Sequence, residues 1–206
     1  MTAVPSSASV PVAGPRPASE QERADARIVQ ASLTDPDRFG VIFDRYFAEI
    51  HGYVARRLGS DVADDVAAET FATAFGDRRR FDASRGAVRA WLYGIATNHV
   101  GRHRRREVRE YRAIRRTGEA PAEEGPADRV AAQVSAGAMR GRLAGALAGL
   151  SAADRDVLLL IALAGLSHAE VAAALGIPYG TVGSRLSRVR RKLRDQLGDT
   201  ARPELD

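Results

Sequence analysis

Residues 167–197, SHAEVAAALGIPYGTVGSRLSRVRRKLRDQL, decide the fold of the C-terminal part of this chain. Ser167 and Glu170 have the spacing of a capping box, which marks the start of a helix. Gly176 ends that helix, and Pro178 suits the first turn of a second one. Apolar residues then recur every three or four positions and form one stripe: Val182, Leu186, Val189, Leu193 and Leu197. The stretch therefore predicts a helix-turn-helix.

The second helix of this motif is strongly basic. Its cations lie away from the apolar stripe: Arg185, Arg188, Arg191 and Lys192. Two short helices, a tight turn and a basic exposed face are typical of a protein that reads the major groove of DNA. The alternative is a helical hairpin with a solvated arginine face, but the turn chemistry and the charge agree, which favours DNA binding.

Composition limits the classes of protein to consider. The 206 residues include no cysteine, which excludes disulfides and thiolate zinc sites. Lysine and arginine number 31 against 26 acidic residues, and the net charge of +5 favours polyanionic partners. No signal peptide or membrane-length apolar run is visible. We expect a soluble, cytoplasmic protein.

The pattern along the chain predicts an all-α protein of two small helical domains joined by a flexible linker. Residues 1–19 are rich in Pro, Ala and Ser and predict a disordered tail. We expect domains over 20–112 and 138–200, a linker over 113–137 whose core is acidic and Pro/Gly-rich, and a short tail over 201–206.

Three helices of the first domain have an apolar period. The first starts at Asp35-Pro36 and runs to Gly59, with these residues predicted to face inward: Phe39, Ile42, Phe43, Tyr46, Phe47, Ile50, Tyr53, Val54 and Leu58. A helix from Asp61 places Val62, Val66, Phe71 and Phe75 inward. After the polar break 77–86, a long helix passes through Val88, Trp91, Leu92, Ile95 and Val100.

Three stretches, in this order, resemble a known family: FDRYFAEIHGYVARRLGSDVADDVAAETFATAF, RFDASRGAVRAWLYGIATNHVGRHRRR and LSAADRDVLLLIALAGLSHAEVAAALGIPYGTVGSRLSRVRRKLR. The chain resembles a bacterial RNA polymerase sigma factor of the extracytoplasmic-function (ECF) class of the sigma-70 family, with regions 2 and 4. The resemblance implies a protein that binds core polymerase and directs promoter-specific initiation. It also implies no enzymatic activity, no cofactor and an anti-sigma factor as a further partner.

An acidic helix in a basic protein is a candidate protein-binding surface. Phosphates would repel its carboxylates, Asp61, Asp64, Asp65 and Glu69. A plain solvated face is the alternative from the residues alone. The resemblance implies that these carboxylates, with Phe71, dock on the coiled-coil clamp of the polymerase's largest subunit.

The loop after this helix interleaves arginines with aromatic residues, a combination that suits single-stranded nucleic acid. The resemblance implies that it captures an unstacked base of the −10 element and holds the melted strand. The implied positions are Phe81, Asp82, Ser84, Arg85, Gly86, Arg89, Trp91, Asn98, Arg102 and Arg105. Trp91 as a core residue is the alternative, because a single tryptophan in a small domain is usually packed.

The resemblance also implies that the second helix of the helix-turn-helix enters the major groove over the −35 element. The implied contacts to bases and phosphates are Tyr179, Gly180, Thr181, Gly183, Ser184, Arg185, Ser187 and Arg188. Gly183 departs from the family's pattern, in which Lys or Arg is common. The glycine removes one contact and destabilises the helix by roughly 1 kcal/mol relative to Ala.

Three other functions compete with this interpretation. A stand-alone helix-turn-helix regulator explains residues 143–197 but leaves the acidic helix and the arginine-aromatic loop without a role. An enzyme lacks support, since the four histidines are scattered and no catalytic spacing or metal-ligand set appears. His99 and His103 share a helical face, and their Arg-rich context favours phosphate contact over metal binding. An anti-sigma-like interaction module would not need two DNA-reading elements.

Overall fold

The computed structural model describes the backbone of residues 18–117 and 137–197. It describes the side chains of residues 18–110 and 141–196. These ranges contain helices and no strand. Their bounds are α1 Glu20–Ala31, α2 Gly40–Leu58, α3 Ala63–Asp77, α4 Val88–Thr117, α5 Gly137–Ala148, α6 Ala152–Ala164, α7 His168–Leu175 and α8 Tyr179–Leu197, with short 3-10 turns at Pro36–Phe39 and Arg78–Arg80. The predicted all-α fold is confirmed. We call α1–α4 the N-terminal unit and α5–α8 the C-terminal unit.

Local capping fixes the starts of three helices. Ser19 caps α1 in a box with Glu22, and Ser167 caps α7 in a box with Glu170. The Ser151 hydroxyl accepts the Asp154 N–H at the start of α6. These side chains satisfy backbone donors that the first turn of a helix leaves free, so the capping predicted at Ser167 is correct.

Glycines in the left-handed conformation follow α6 and α7, the two helices that precede α8. Gly165 follows α6 with φ +63°, and Gly176 follows α7 with φ +62°. Glycine adopts this conformation without steric penalty, which makes it the preferred residue just past a helix end. The second helix of the motif starts at Tyr179, one residue after the predicted Pro178, whose carbonyl accepts the Thr181 N–H.

The core of the N-terminal unit follows the predicted apolar periods. Ile42, Ile50, Tyr53, Leu92 and Val100 are at most 1% exposed. The Tyr53 hydroxyl shares a hydrogen bond of 2.9 Å with Thr97, so the phenol is satisfied inside the core.

Two residues predicted to face inward are instead exposed at the surface. Phe43 is 39% exposed and Phe75 is 38% exposed. Each makes a T-shaped contact with a buried ring, Phe43 with Phe71 and Phe75 with Phe39, at centroid distances of 5.1 and 5.5 Å. The apolar stripe on α2 and the one on α3 are therefore each wider than the part of the helix that neighbouring helices cover.

The C-terminal unit packs α8 against α5, α6 and α7. Val182, Leu186 and Val189 are buried, as the stripe predicts, and Leu193 is half-buried. The side chain of Leu197 lies outside the described residues. Val157 and Leu160 of α6 complete this part of the core and are fully buried.

The two units lie directly against each other, mainly through α4 with α7 and α2 with α6. Helix α4 continues to Thr117, so the predicted linker begins inside it. The acidic stretch 118–136 of that linker, the tail 1–17 and residues 198–206 lie outside the described residues. None of the helices in the described ranges is long and apolar enough to cross a membrane.

Candidate nucleic-acid interface

One cavity collects residues that the sequence assigns to single-stranded DNA. It has a volume of about 330 Å³ and lies between the loop before α4, the first turns of α4 and the C-terminal end of α7. Among its lining residues are six of the predicted ones, Phe81, Asp82, Arg85, Gly86, Trp91 and Asn98. These six residues fall within positions 81–98, and the fold brings them to one cavity.

The two aromatic rings of the cavity lie side by side. The centroids of Phe81 and Trp91 are 5.1 Å apart with an interplanar angle of 47°. Both rings are partly buried and pack against the hydrophobic core. Trp91 therefore packs in the core and also lines the cavity, while its role in DNA binding stays a prediction.

A small hydrogen-bonded turn shapes the loop side of the cavity. The Asp82 carboxylate accepts the Ser84 backbone N–H at 2.9 Å and the Ser84 hydroxyl at 2.6 Å. The hydrogen bonds from Ser84, the side-chain one first, hold the pKa of Asp82 below its ordinary value. Ser84 thus orients Asp82, while Arg85 and Asn98 are exposed at the cavity.

Arg89 lies outside the cavity, and its guanidinium donates hydrogen bonds to three residues. Its Nε donates to Glu49 at 2.8 Å, and its other nitrogens donate to Glu170 at 3.4 Å and to the Ala164 carbonyl at 2.6 Å. Glu170 and Ala164 belong to the C-terminal unit. Arg102 and Arg105 are exposed farther along α4, in line with phosphate contact.

His99 does not face solvent as the predicted phosphate contact requires. Its side chain is 3% exposed, and its ring nitrogens contact Glu69 at 2.9 Å, Thr73 at 2.9 Å and Arg102. The hypothesis of a phosphate contact is wrong for this residue because α3 covers it. In the described part of the chain, no group of three or more His, Cys, Asp or Glu residues is arranged to hold a metal ion.

The acidic surface on α3 has exposed carboxylates and a buried aromatic support. Asp61, Asp64 and Asp65 are exposed, and the Glu69 side chain is 64% exposed although it pairs with His99. Phe71 is only 4% exposed, so its ring cannot meet a partner directly as predicted. It packs instead beneath the neighbouring helix α2.

Helix α2 contributes aromatic residues that the sequence analysis did not assign to this surface. Phe43 stacks on Phe47 with a centroid distance of 4.8 Å, and Phe47 stacks on His51 at 6.0 Å. His51 lies 3.0 Å from Asp64 of α3. We call Phe43, Phe47 and His51 the aromatic patch. Their spacing of four residues is a signal for one helix face, but it equally fits a buried stripe.

The predicted −35 residues form the open face of α8. Tyr179, Gly180, Ser184 and Ser187 are exposed, and Thr181, Gly183 and Arg185 are half-buried. The Ser184 hydroxyl donates to the Thr181 carbonyl at 3.0 Å. Arg188 is exposed but donates to Asp154 at 3.1 Å, which turns it toward α6.

Comparison with known proteins identifies the family. Residues 42–110 match the model of Sigma-70 region 2, and residues 140–193 match the model of Sigma-70, region 4. The chain is 32% identical to the ECF RNA polymerase sigma factor SigC of Mycobacterium tuberculosis, over 85% of this chain and 92% of SigC. The chain belongs to the ECF class of sigma-70 family sigma factors. This sigma factor directs promoter-specific transcription by RNA polymerase.

Two further relatives of this sigma factor have solved structures. RNA polymerase sigma factor CnrH of Cupriavidus metallidurans is 31% identical over 80% of this chain and 88% of CnrH. Its complex with the cytosolic domain of CnrY matches with a TM-score of 0.56 and 29% identity, covering 84% of this chain and 97% of CnrH. The sigma factor RpoE of Bartonella quintana, in complex with the anti-sigma factor NepR, matches with a TM-score of 0.55 and 25% identity, covering 81% and 99% of the two chains.

Proposed function

We propose that this sigma factor uses three separate surfaces to bind its partners in transcription initiation. The carboxylates of α3 and the aromatic patch of α2 bind core polymerase. The cavity before and along α4 binds an unstacked base of the −10 element. The open face of α8 reads the −35 element in the major groove.

The observation that carries this proposal is the cavity. Its wall combines the Phe81 and Trp91 rings with the polar groups of Asp82 and Asn98. Aromatic faces stack on bases of any identity, whereas an amide hydrogen-bonds a base edge selectively. Extruding a base costs a few kcal/mol, so a site that binds the extruded base well offsets that cost and stabilises the open bubble. The protein acts by binding, and no covalent step is required of it.

The polymerase surface is proposed from charge and aromatic exposure together. Asp64 and Asp65 would repel DNA phosphates but attract a basic protein surface. Rim charges of this kind set orientation and association rate, whereas partly exposed aromatic residues supply affinity. Phe43 is 39% exposed and belongs to the aromatic patch, whose His51 contacts Asp64.

Sequence reading at −35 is proposed to rest on the small polar residues of α8. Ser184 and Ser187 are exposed on the same helix face. Helix N-terminal amides at Gly180 and Thr181 provide a phosphate contact that positions the helix without reading sequence. Arg188 contributes to base reading only if it leaves Asp154.

An anti-sigma factor is a further partner under this proposal. The solved relative RpoE was captured with the anti-sigma factor NepR. Because its partners are polymerase and promoter DNA, we propose that this sigma factor acts in the cytoplasm.

The experiment is run-off transcription with bacterial core polymerase and a promoter library. The wild type should select a two-block promoter. Asp65→Arg should lose core binding, because it reverses an exposed charge on α3, while Asp37→Arg, an equal charge change at an exposed residue elsewhere, should not. Glu69 is less suited to this test because it also contacts buried His99. DNA binding without core binding by the wild type would instead support the stand-alone regulator.

A further inference from the structure

We propose that the free protein holds itself in a closed state in which the end of α7 covers the −10 cavity while the −35 face of α8 stays accessible. The proposal rests on the assignment of that cavity to −10 DNA. The site and its cover belong to the same chain. Opening must therefore precede capture of the base.

The end of α7 forms part of the cavity wall. The last three residues of α7, 173–175, and Gly176 just after it line the same cavity as Phe81, Trp91 and Asn98. A base entering between these residues and α4 would need the space that α7 borders. The exposed residues Ser184 and Ser187 of α8 lie outside this lining set.

The two units meet at a position that admits only glycine. A Cβ added to Gly94 of α4 would approach the Ala174 carbonyl oxygen well under 3.0 Å, a separation that Cβ atoms essentially never show. The three heavy atoms nearest to this added Cβ, outside the helix's own backbone, all belong to Ala174. The glycine therefore permits the close contact between α4 and α7.

The C-terminal end of α6 is bound by two arginines of the N-terminal unit. Arg56 donates to the Leu163 carbonyl at 2.9 Å, and Arg89 donates to the Ala164 carbonyl at 2.6 Å. The last carbonyls of a helix lack intrahelical partners and carry partial negative charge, so guanidinium groups stabilise them. These two bonds give the contact a defined orientation.

An ion pair completes the contact at the far edge. Arg57 of α2 donates to Asp156 of α6 at 2.7 Å, and the Arg57 side chain is 3% exposed. A buried guanidinium without a carboxylate partner is strongly unfavourable. Removal of Asp156 therefore favours the open state, in which water can reach Arg57.

The closed state and the DNA-bound state both require the Arg89 side chain, so the two states compete. The same guanidinium that the family resemblance assigns to −10 DNA is bonded to Glu170 of α7 and to the Ala164 carbonyl of α6. Since it cannot hold both sets of partners, DNA at this site and the closed state oppose each other. A closed state favoured about tenfold lowers the apparent affinity for single-stranded DNA about tenfold.

The first test compares Gly94→Ala with Gly101→Ala in the full-length protein. Both substitutions favour helix α4 equally, but the Cβ at Gly101 meets only the flexible Arg105 side chain, at 3.4 Å. Gly94→Ala should raise the radius of gyration in small-angle X-ray scattering, and it should red-shift the emission of Trp91, the single tryptophan. Gly101→Ala should match the wild type in both.

The second test opens the contact at a residue outside the cavity. Asp156→Arg should give the same rise in radius of gyration, and it should tighten binding of a labelled random-sequence single-stranded DNA 12-mer about tenfold. Asp37→Arg, with the same charge change, is the control. Circular dichroism checks that each variant keeps its helices.

Unchanged scattering and Trp91 emission in both Gly94→Ala and Asp156→Arg would overturn the closed state. Opening without tighter binding of the 12-mer would overturn the covering of a DNA site, and it would locate the failure in the −10 assignment rather than in the contact between the units. Opening with tighter binding supports the proposal.

Discussion

Arg188 of the recognition helix donates to both carboxylate oxygens of Asp154 in α6, at 3.1 and 3.5 Å. Asp154 is 2% exposed, whereas the Arg188 side chain is 49% exposed. A residue that the family resemblance assigns to base reading is therefore also the partner of a buried charge. The pair fixes the orientation of α8 relative to α6.

Arg188→Ala should destabilise the C-terminal unit by about 1–2 kcal/mol, because it leaves the Asp154 carboxylate buried without its cation, with the loss reduced by the exposure of Arg188. Chemical denaturation followed by circular dichroism measures this. Arg191→Ala, an exposed residue on the same helix, is the control. Equal stability of the two variants would contradict the structural role.

Gly183→Arg should tighten or redirect −35 binding. A Cβ at Gly183 meets no atom within 4 Å, so the fold admits a side chain there. The new guanidinium adds a base or phosphate contact on the open face of α8. Selection from a random duplex library measures both affinity and sequence preference.

Gly183→Ala separates this contact from helix stability. Alanine stabilises the helix by roughly 1 kcal/mol without adding a cation. An arginine variant that binds with the affinity and preference of the alanine variant would contradict the prediction.

Phe43→Ala should weaken core polymerase binding by about 1 kcal/mol or more, since partly exposed aromatic residues beside charges act as interface anchors. Phe43 is 39% exposed, so the change should affect folding less than truncation of a buried ring. Val41→Ala, at a position 44% exposed on the same helix, is the control. Surface plasmon resonance with core polymerase compares them, and equal affinities would exclude Phe43 from the interface.

Protonation of His99 should make the protein less stable in mild acid. Burial first, and then the Arg102 charge, lower the pKa of His99 below the ordinary 6.5 despite Glu69. The unfolded chain then binds a proton more readily than the folded one, so the His99 contribution to stability is present above about pH 6.5 and is lost as pH falls below it.

Thermal unfolding at pH 7.5 and pH 5.5 measures this effect. The unfolding temperature should fall more in the wild type than in His99→Gln, which removes the titrating group. His168→Gln, a half-buried histidine of α7, should keep the wild-type dependence. A pH dependence that survives in His99→Gln would assign it to other groups.

Local features of this chain could be predicted from its sequence. The capping box at Ser167 and the helix end at Gly176 depend on residues three or four apart, and so does the apolar stripe of α8. Helix bounds and the helix-turn-helix follow from them. The grouping of Phe81, Asp82, Arg85 and Asn98 also followed, because one loop and the next three helix turns carry them all.

Tertiary structure decided whether a side chain on a given helix face is buried or exposed, and which distant residue it contacts. Phe43 is exposed and Phe71 is buried although both fit an apolar helix period. His99 is directed to Glu69, 30 positions away in sequence, and Arg188 is directed to Asp154, 34 positions away. Sequence periodicity determines that a residue lies on a given face of a helix. Which distant residue covers that face depends on how the helices pack, and this packing alone brings Gly94 against Ala174 and α7 over the cavity.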